Sequence, residues 1–115
     1  MTTTTIGLER VGAAGVLRIG GDVTTASESD LMDGFGRAVD DGATTVVLDF
    51  AGMDYMNSGG IGLLVTLLVR AQRAGVRLLA TGLSDHYRQI LSLTRLDEAI
   101  EIHPDEATAL AAVGA

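Results

Sequence analysis

The stretch Tyr55-Met-Asn-Ser-Gly-Gly-Ile-Gly62 separates two strongly apolar segments of this 115-residue chain. Residues 44–50 precede it and residues 63–70 follow it, so a serine and several glycines occupy the junction between two hydrophobic elements. A glycine within a helix costs about 0.8 to 1.0 kcal/mol relative to alanine. We therefore expect Gly59, Gly60 and Gly62 to keep side chains out of the way of a group that approaches the backbone closely.

Apolar periodicity predicts a helix after this junction, from about Ser58 or Gly59 to Ala74, with Gly75 as its C-terminal stop. Apolar side chains surround much of this helix, in one stripe of Ile61, Leu64, Val65 and Leu68 and a second group of Leu63, Leu67 and Val69. One side of the helix is expected to meet a sheet. The other side is expected to meet a second helix or a partner protein.

Strands and helices are predicted to alternate along the rest of the chain. Strands are expected at residues 6–11, 15–19, 44–50, 76–80 and 99–103. Helices are expected at residues 26–41, 58–74, 86–96 and 105–113. The order ββαβαβαβα predicts an α/β fold with a mixed, mainly parallel β-sheet and about four helices packed on it. A single domain is expected to span residues 1–115.

Charge and composition exclude several classes of function. The net charge is −7, from 15 acidic and 8 basic residues, which disfavours binding to nucleic acid or to an anionic membrane surface. The chain has no cysteine, so disulfides and zinc-thiolate sites are excluded. Its N-terminus has no basic leader, and no apolar run reaches the ~20 residues that a spanning helix needs. We expect a cytoplasmic protein.

Ser58 lacks the surroundings of a catalytic nucleophile. A nucleophile elbow places a glycine two residues before the serine, and Met56 stands there instead. His86 and His103 lie in no obvious acid-histidine arrangement and have no metal-like spacing. The chain is therefore not expected to be an enzyme or to need a cofactor. Small-nucleotide binding by backbone amides of the loop at residues 59–62 remains an alternative.

The chain resembles the STAS domain family (sulfate transporter and anti-sigma factor antagonist), and within it the single-domain anti-sigma factor antagonists. The resemblance covers nearly the whole chain, and three segments carry it: residues 15–23 (GVLRIGGDV), 46–64 (VVLDFAGMDYMNSGGIGLL) and 74–80 (AGVRLLA). The middle segment is the most specific. Its strand, hydrophobic loop, Met-Asn-Ser-x-Gly motif and helix occur in the order of the family.

The resemblance implies a regulatory binding protein. In the family, the serine aligned with Ser58 is phosphorylated by an anti-sigma factor that is itself a serine kinase with a histidine-kinase-like ATP-binding fold. The unphosphorylated antagonist binds this kinase and frees a sigma factor, and a metal-dependent serine phosphatase resets the phosphorylated form. The protein is then expected to be a monomer or a weak homodimer. The implied partner-binding residues are Asp22, Thr24, Thr25, Tyr55, Met56, Asn57, Ser58, Gly59, Gly60 and Ile61.

Two residues depart from the family pattern and keep other interpretations open. Asn57 stands where the family usually has aspartate, and Gly59 stands where it usually has a second serine. These departures favour an alternative function, an unphosphorylated STAS scaffold or sensory interaction module. A local alternative is that Ser58 only caps the helix. Core packing is an equally good interpretation of Tyr55.

Overall fold

The computed structural model describes residues 3–114. It contains a five-stranded sheet and four α-helices. The strands are β1 (Thr5–Val11), β2 (Ala14–Val23), β3 (Thr45–Met56), β4 (Arg77–Thr81) and β5 (Glu101–His103). The helices are α1 (Glu28–Asp40), α2 (Ser58–Ala74), α3 (Asp85–Leu93) and α4 (Glu106–Ala112), with short 3₁₀ turns at Thr25–Ser27 and Leu96–Glu98. The predicted fold class and element order are confirmed.

The strands lie in the order β1-β2-β3-β4-β5. β1 and β2 are antiparallel and are joined by a two-residue turn in which Gly12 has a φ of 58°, a conformation that suits glycine. The other neighbours are parallel and are connected through α1, α2 and α3. Such connections are almost always right-handed, and the strand order advances in one direction. The three helices consequently lie on one face of the sheet.

The two faces of the sheet bury cores of different size, because successive strand residues point to opposite faces. The main core lies between the sheet and α1 to α3, and its largest fully buried side chains include Phe50, Leu48, Leu64 and Leu91. The opposite face has a smaller core in which α4 contributes Ala109. Its other buried members are Ala14, Val16, Val47 and Leu79.

β3 is longer than predicted. The strand was expected to end at residue 50, with a hydrophobic loop before the Ser58 helix, but residues 51–56 continue the strand, because β2 also extends to Val23 and supplies partners for them. The pairing runs from Gly20 opposite Gly52 to Val23 opposite Met56. It passes an irregularity near Gly21, whose φ is 77°. The end of β3 is therefore fixed by hydrogen bonds directly before α2 begins.

Two boundaries near the C-terminus also differ from the prediction. α3 ends at Leu93 rather than at residue 96, and Arg95 then takes a left-handed backbone conformation with a φ of 62°. β5 begins at Glu101 rather than at residue 99, because Ile100 N–H still bonds to the carbonyl oxygen of Leu96 in the preceding turn.

The buried side of α2 differs from the predicted stripe. Val65 was expected to share a stripe with Leu64, but Val65 is 44% exposed, as is Val69 at 38%. The helix buries Gly60, Leu63, Leu64, Leu67 and Ala71. This set has the three- and four-residue spacing of one helix face.

Among the described residues, no helix is both long and apolar enough to cross a membrane.

Candidate functional site

Ser58 is the first residue of α2, and it is exposed. The cap of this helix is Asn57, whose backbone is extended and whose side-chain Oδ1 accepts a hydrogen bond from Gly60 N–H at 3.0 Å. The interpretation of Ser58 as the helix cap is therefore wrong, because its neighbour performs that role. The Ser58 hydroxyl is presented at the helix start without a part in the capping bond.

Two of the three glycines are required by the packing of the chain on itself. A Cβ atom on Gly59 would lie 2.6 Å from Thr25 Cγ2, and one on Gly60 would lie 2.5 Å from the carbonyl oxygen of Val23. A Cβ on Gly62 would meet nothing within 4 Å. The expectation that all three glycines make room for an approaching partner is corrected for Gly59 and Gly60. Gly62 alone of the three is open to solvent on the side where a Cβ would point.

The turn at Thr25–Ser27 lies against the start of α2. Its conformation is fixed by a capping box, in which Thr24 Oγ1 accepts from Ala26 N–H at 3.2 Å and Ser27 Oγ accepts from Thr24 N–H at 3.0 Å. Asp22, two residues before Thr24, lies in β2 opposite Tyr55 in β3. The structure thus brings the predicted segment of residues 22–25 beside residues 55–59, as the resemblance implied.

Neighbouring residues at the end of β3 face opposite ways. Tyr55 is 50% exposed, so its interpretation as a core residue is wrong, whereas Met56 is only 5% exposed and belongs to the main core. Met56 and Gly60 were predicted to contact a partner, and both are buried. This part of the prediction is corrected, because a buried residue offers almost no surface to a docked protein. Ile61 is half-buried and packs against the main core.

One residue that contributes to the site is absent from the predicted set. Tyr87, in the first turn of α3, accepts a hydrogen bond at its Oη from Met56 N–H at 2.9 Å. The sequence places Tyr87 among the apolar residues of a helix, and a bond between residues 31 positions apart leaves no local signal. The only hint is a hydroxyl on an otherwise apolar helix face.

The charge at the start of α2 distinguishes it from the other described α-helices. The first turn of α2 contains no acidic residue, whereas α1 has Glu28 and Asp30, α3 has Asp85 and α4 has Glu106. The N-terminus of a helix carries a partial positive charge that attracts anions. At α2 this charge is met only by the neutral amide of Asn57.

A group of charged residues lies on the opposite face of the sheet, at the start of α4. Arg18 binds both carboxylate oxygens of Glu106 at 2.8 Å and also binds Glu9 at 2.7 Å. The bond from Arg18, together with one from Asp49, lowers the pKa of Glu106 to about 2. Burial and the neighbouring Glu106 raise the pKa of Asp49. These residues form a network of their own, separate from Ser58.

The family model described as the Mlab, STAS domain matches residues 6–104 of the chain. The chain belongs to the STAS domain family. The match includes all of the sheet except Thr5, together with α1 to α3, and it includes Ser58 with the residues around it.

Solved structures with a similar fold include proteins of several kinds. An anti-sigma factor antagonist from Mycobacterium paratuberculosis is 20% identical, with a TM-score of 0.83 over 98% of this chain and 96% of its own. The Bacillus cell fate determinant SpoIIAA in its phosphorylated form is 22% identical, with a TM-score of 0.73 over 95% and 99%. A sulfate transporter family protein from Wolinella succinogenes is 18% identical, with a TM-score of 0.75 over 90% and 86%. At these identities the likeness establishes the fold.

The described part of this STAS domain offers no metal centre. Within residues 3–114, no group of three or more histidine, cysteine, aspartate or glutamate side chains is placed to hold a metal ion. Asp49, at the end of the buried part of β3, instead accepts a hydrogen bond from Ala51 N–H at 2.9 Å.

Proposed function

We propose that this STAS domain is a cytoplasmic anti-sigma factor antagonist controlled by phosphorylation of Ser58. In its unphosphorylated form it binds an anti-sigma factor that is also a serine kinase with a histidine-kinase-like ATP-binding fold, and a sigma factor is released. Phosphorylation ends this binding, and a metal-dependent serine phosphatase restores it. The protein itself is a substrate and a binding partner, with no catalysis of its own.

The observation that carries this proposal is the exposed Ser58 hydroxyl at the start of α2, with Asn57 as the cap. A hydroxyl engaged in capping would have to break that bond before it could enter a kinase. Since the cap lies on the neighbouring residue, Ser58 can accept a phosphoryl group while the first turn of the helix stays intact.

The charge at this helix start also supports the proposal. A phosphoryl group adds about −1.5 to −2 charges and three acceptor oxygens. The first turn of α2 has no acidic side chain to repel it, and the helix dipole favours negative charge there. Phosphorylation is therefore expected to leave the domain folded and to act on the binding surface.

The effect on the partner follows from desolvation and repulsion. A dianion at an interface that fits a neutral hydroxyl must lose its hydration and is repelled by acidic groups of the partner. About 3 to 4 kcal/mol of lost binding free energy corresponds to a few hundredfold in affinity. The neighbouring exposed side chains that would contact the kinase are Thr25 and Tyr55.

The departures at residues 57 and 59 are accommodated by the structure's own packing. Asn57 retains the capping bond that an aspartate would make. Gly59 gives room to the Thr25 methyl group, so the side chain of Thr25, rather than that of a second serine, occupies the space beside residue 59. A kinase that recognises this surface would therefore read a different side chain next to the acceptor.

A second candidate function is an unphosphorylated STAS interaction module. The specific observation in its favour is Gly59, because a serine at this position would clash with Thr25 and the usual second hydroxyl is thus absent. Nucleotide binding by the glycine-rich segment is less well supported. Gly60 N–H already bonds to Asn57 Oδ1 and Ile61 N–H to the Asn57 carbonyl, so these amides are not available to a phosphate.

The proposal is tested by incubating the protein with Mg-ATP and each purified anti-sigma serine kinase encoded in the same genome, followed by intact-mass measurement. One kinase is expected to add one phosphoryl group to the wild type and none to Ser58→Ala. Ser29→Ala is the matched control, since Ser29 is also an exposed serine in the first turn of a helix, α1. A wild-type protein left unmodified by every kinase would favour the unphosphorylated module.

A further inference from the structure

The end of β3 extends beyond β4, its neighbour on one side. β4 pairs with β3 only from Thr45 to Asp49, whereas β2 pairs with it as far as Met56. On the side facing away from β2, the backbone N–H groups of the last residues of β3 have no strand as a partner. A buried N–H group without a hydrogen bond is costly, so such positions need another acceptor.

A side chain takes the place of the missing strand at the last residue of β3. Met56 N–H donates to Tyr87 Oη at 2.9 Å, and Asn57 N–H donates to the carbonyl oxygen of Val23 at 3.2 Å. The N–H groups of the two residues before Ser58 are thus bound to different elements: that of Met56 to α3 and that of Asn57 to β2. Together with the Asn57 cap, these bonds determine where Ser58 is presented.

Tyr87 is itself held in place. Its ring is half-buried against the main core and meets the ring of His86 edge to face, with centroids 5.0 Å apart. Its backbone N–H lies 3.5 Å from Oγ of Ser84, the cap of α3. A phenylalanine could fill the same space, so the tyrosine hydroxyl contributes the hydrogen bond to Met56 rather than packing.

We infer that Tyr87 is a positioning residue for Ser58, acting through the peptide groups of Met56 and Asn57. This inference rests on the proposed function, in which a kinase receives the Ser58 hydroxyl. Without the Tyr87 hydroxyl the end of β3 loses its bond to α3, and the acceptor spends less time in the orientation that the kinase needs. The exposed residues that contact the kinase remain, so the effect falls on kcat rather than on KM.

The test compares Tyr87→Phe with Thr94→Val. The second variant is a matched control, because it removes a hydroxyl that donates to the Ile90 carbonyl at 2.8 Å at the other end of α3. Two quantities are measured: the exchange rate of the Met56 amide, and kcat and KM for phosphorylation of Ser58 by the purified kinase with Mg-ATP. In Tyr87→Phe we expect Met56 exchange to be about tenfold faster and kcat about tenfold lower, with KM unchanged. Thr94→Val is expected to change neither.

The contrary results separate a failure of the positioning role from a failure of the proposed function. A Met56 amide as protected in Tyr87→Phe as in the wild type would overturn the positioning role. So would an equal fall of kcat in both variants, since this would reflect a general loss of stability. A wild-type protein that no kinase phosphorylates would instead overturn the proposed function, and the inference with it. The wild-type reaction therefore distinguishes the two failures.

Discussion

The starts of α2 and α4 are both capped by a side chain, but they are stabilised by different means. At α4, Asp105 Oδ1 accepts from Thr108 N–H at 2.8 Å, and the adjacent Glu106 forms a two-bond ion pair with Arg18. At α2, the cap is the neutral Asn57, and Gly60 lets the helix start pack directly against β2. One start is held by charge, and the other by close backbone packing.

The difference bears on the proposed phosphorylation of Ser58. The chain's own carboxylates already fill the positive end of α4. The positive end of α2 carries no acidic side chain in its first turn and presents the exposed Ser58. An added phosphate at α2 meets an uncompensated dipole, whereas at α4 it would compete with carboxylates already in place.

The largest expected effect on stability comes from breaking the packing at α2. Gly60→Ala places a Cβ 2.5 Å from the Val23 carbonyl oxygen and 2.7 Å from Met56 Cγ. Because both neighbours are buried, we expect a loss of about 1 to 3 kcal/mol in the free energy of unfolding, as for other overpacked sites. Urea unfolding followed by circular dichroism measures it.

Gly62→Ala is the control for this variant. Nothing lies within 4 Å of a Cβ on Gly62. This substitution is expected to raise the free energy of unfolding by about 0.8 to 1.0 kcal/mol, the helix preference of alanine over glycine. If both alanine variants changed stability by the same amount, close packing would not be what holds the start of α2.

The cap of α2 gives the next effect. Asn57→Ala removes the acceptor for Gly60 N–H and is expected to cost about 1 kcal/mol of stability. Asn57→Asp keeps the acceptor and adds a negative charge, which makes the start of α2 resemble that of α4. It is expected to stabilise the protein by about 0.3 to 1 kcal/mol at low salt. If Asn57→Asp were less stable than the wild type, negative charge would destabilise the start of α2.

The smallest effect is the pH dependence of the ion pair at α4. The bond with Arg18, and then the bond with Asp49, lower the pKa of Glu106 from 4.5 to about 2. The contribution of the ionised Glu106 to the stability of the folded protein is therefore fully present above pH 4.5, and it is lost as the pH falls towards 2. The raised pKa of Asp49 acts in the opposite direction and offsets part of this loss.

Glu106→Gln isolates this contribution. We expect the variant to be slightly less stable than the wild type at pH 7, by an amount that narrows when both are compared at pH 3. Urea midpoints at the two pH values measure the difference, and the partly exposed pair keeps it small. If the wild type and Glu106→Gln differed in stability by the same amount at pH 7 and pH 3, the ion pair would not be what stabilises the start of α4.

Much of the fold could be predicted from the sequence because its elements have strong local patterns. The apolar run in β3, the glycine stop at Gly75 and the alternation of strands and helices all lie within short segments. The extension of β3 to Met56 could not be predicted in this way. It depends on pairing with β2, whose partner residues lie about thirty positions earlier along the chain.

The proximity of the two segments of the candidate site could be predicted, but the arrangement of their side chains could not. The family resemblance indicated the Ser58 segment and the segment of residues 22–25, which do lie together. The structure was needed to show which residues face outwards. Tyr55 and Met56 are adjacent in the sequence, but one is exposed and the other is buried. The bond from Met56 to Tyr87 likewise depends on where α3 packs.

The most direct test of the account is the affinity of the cognate kinase for this protein before and after phosphorylation of Ser58, measured by titration calorimetry. We expect the unphosphorylated protein to bind and the phosphorylated protein, still folded, to bind a few hundredfold more weakly. Equal affinities for the two forms would contradict it.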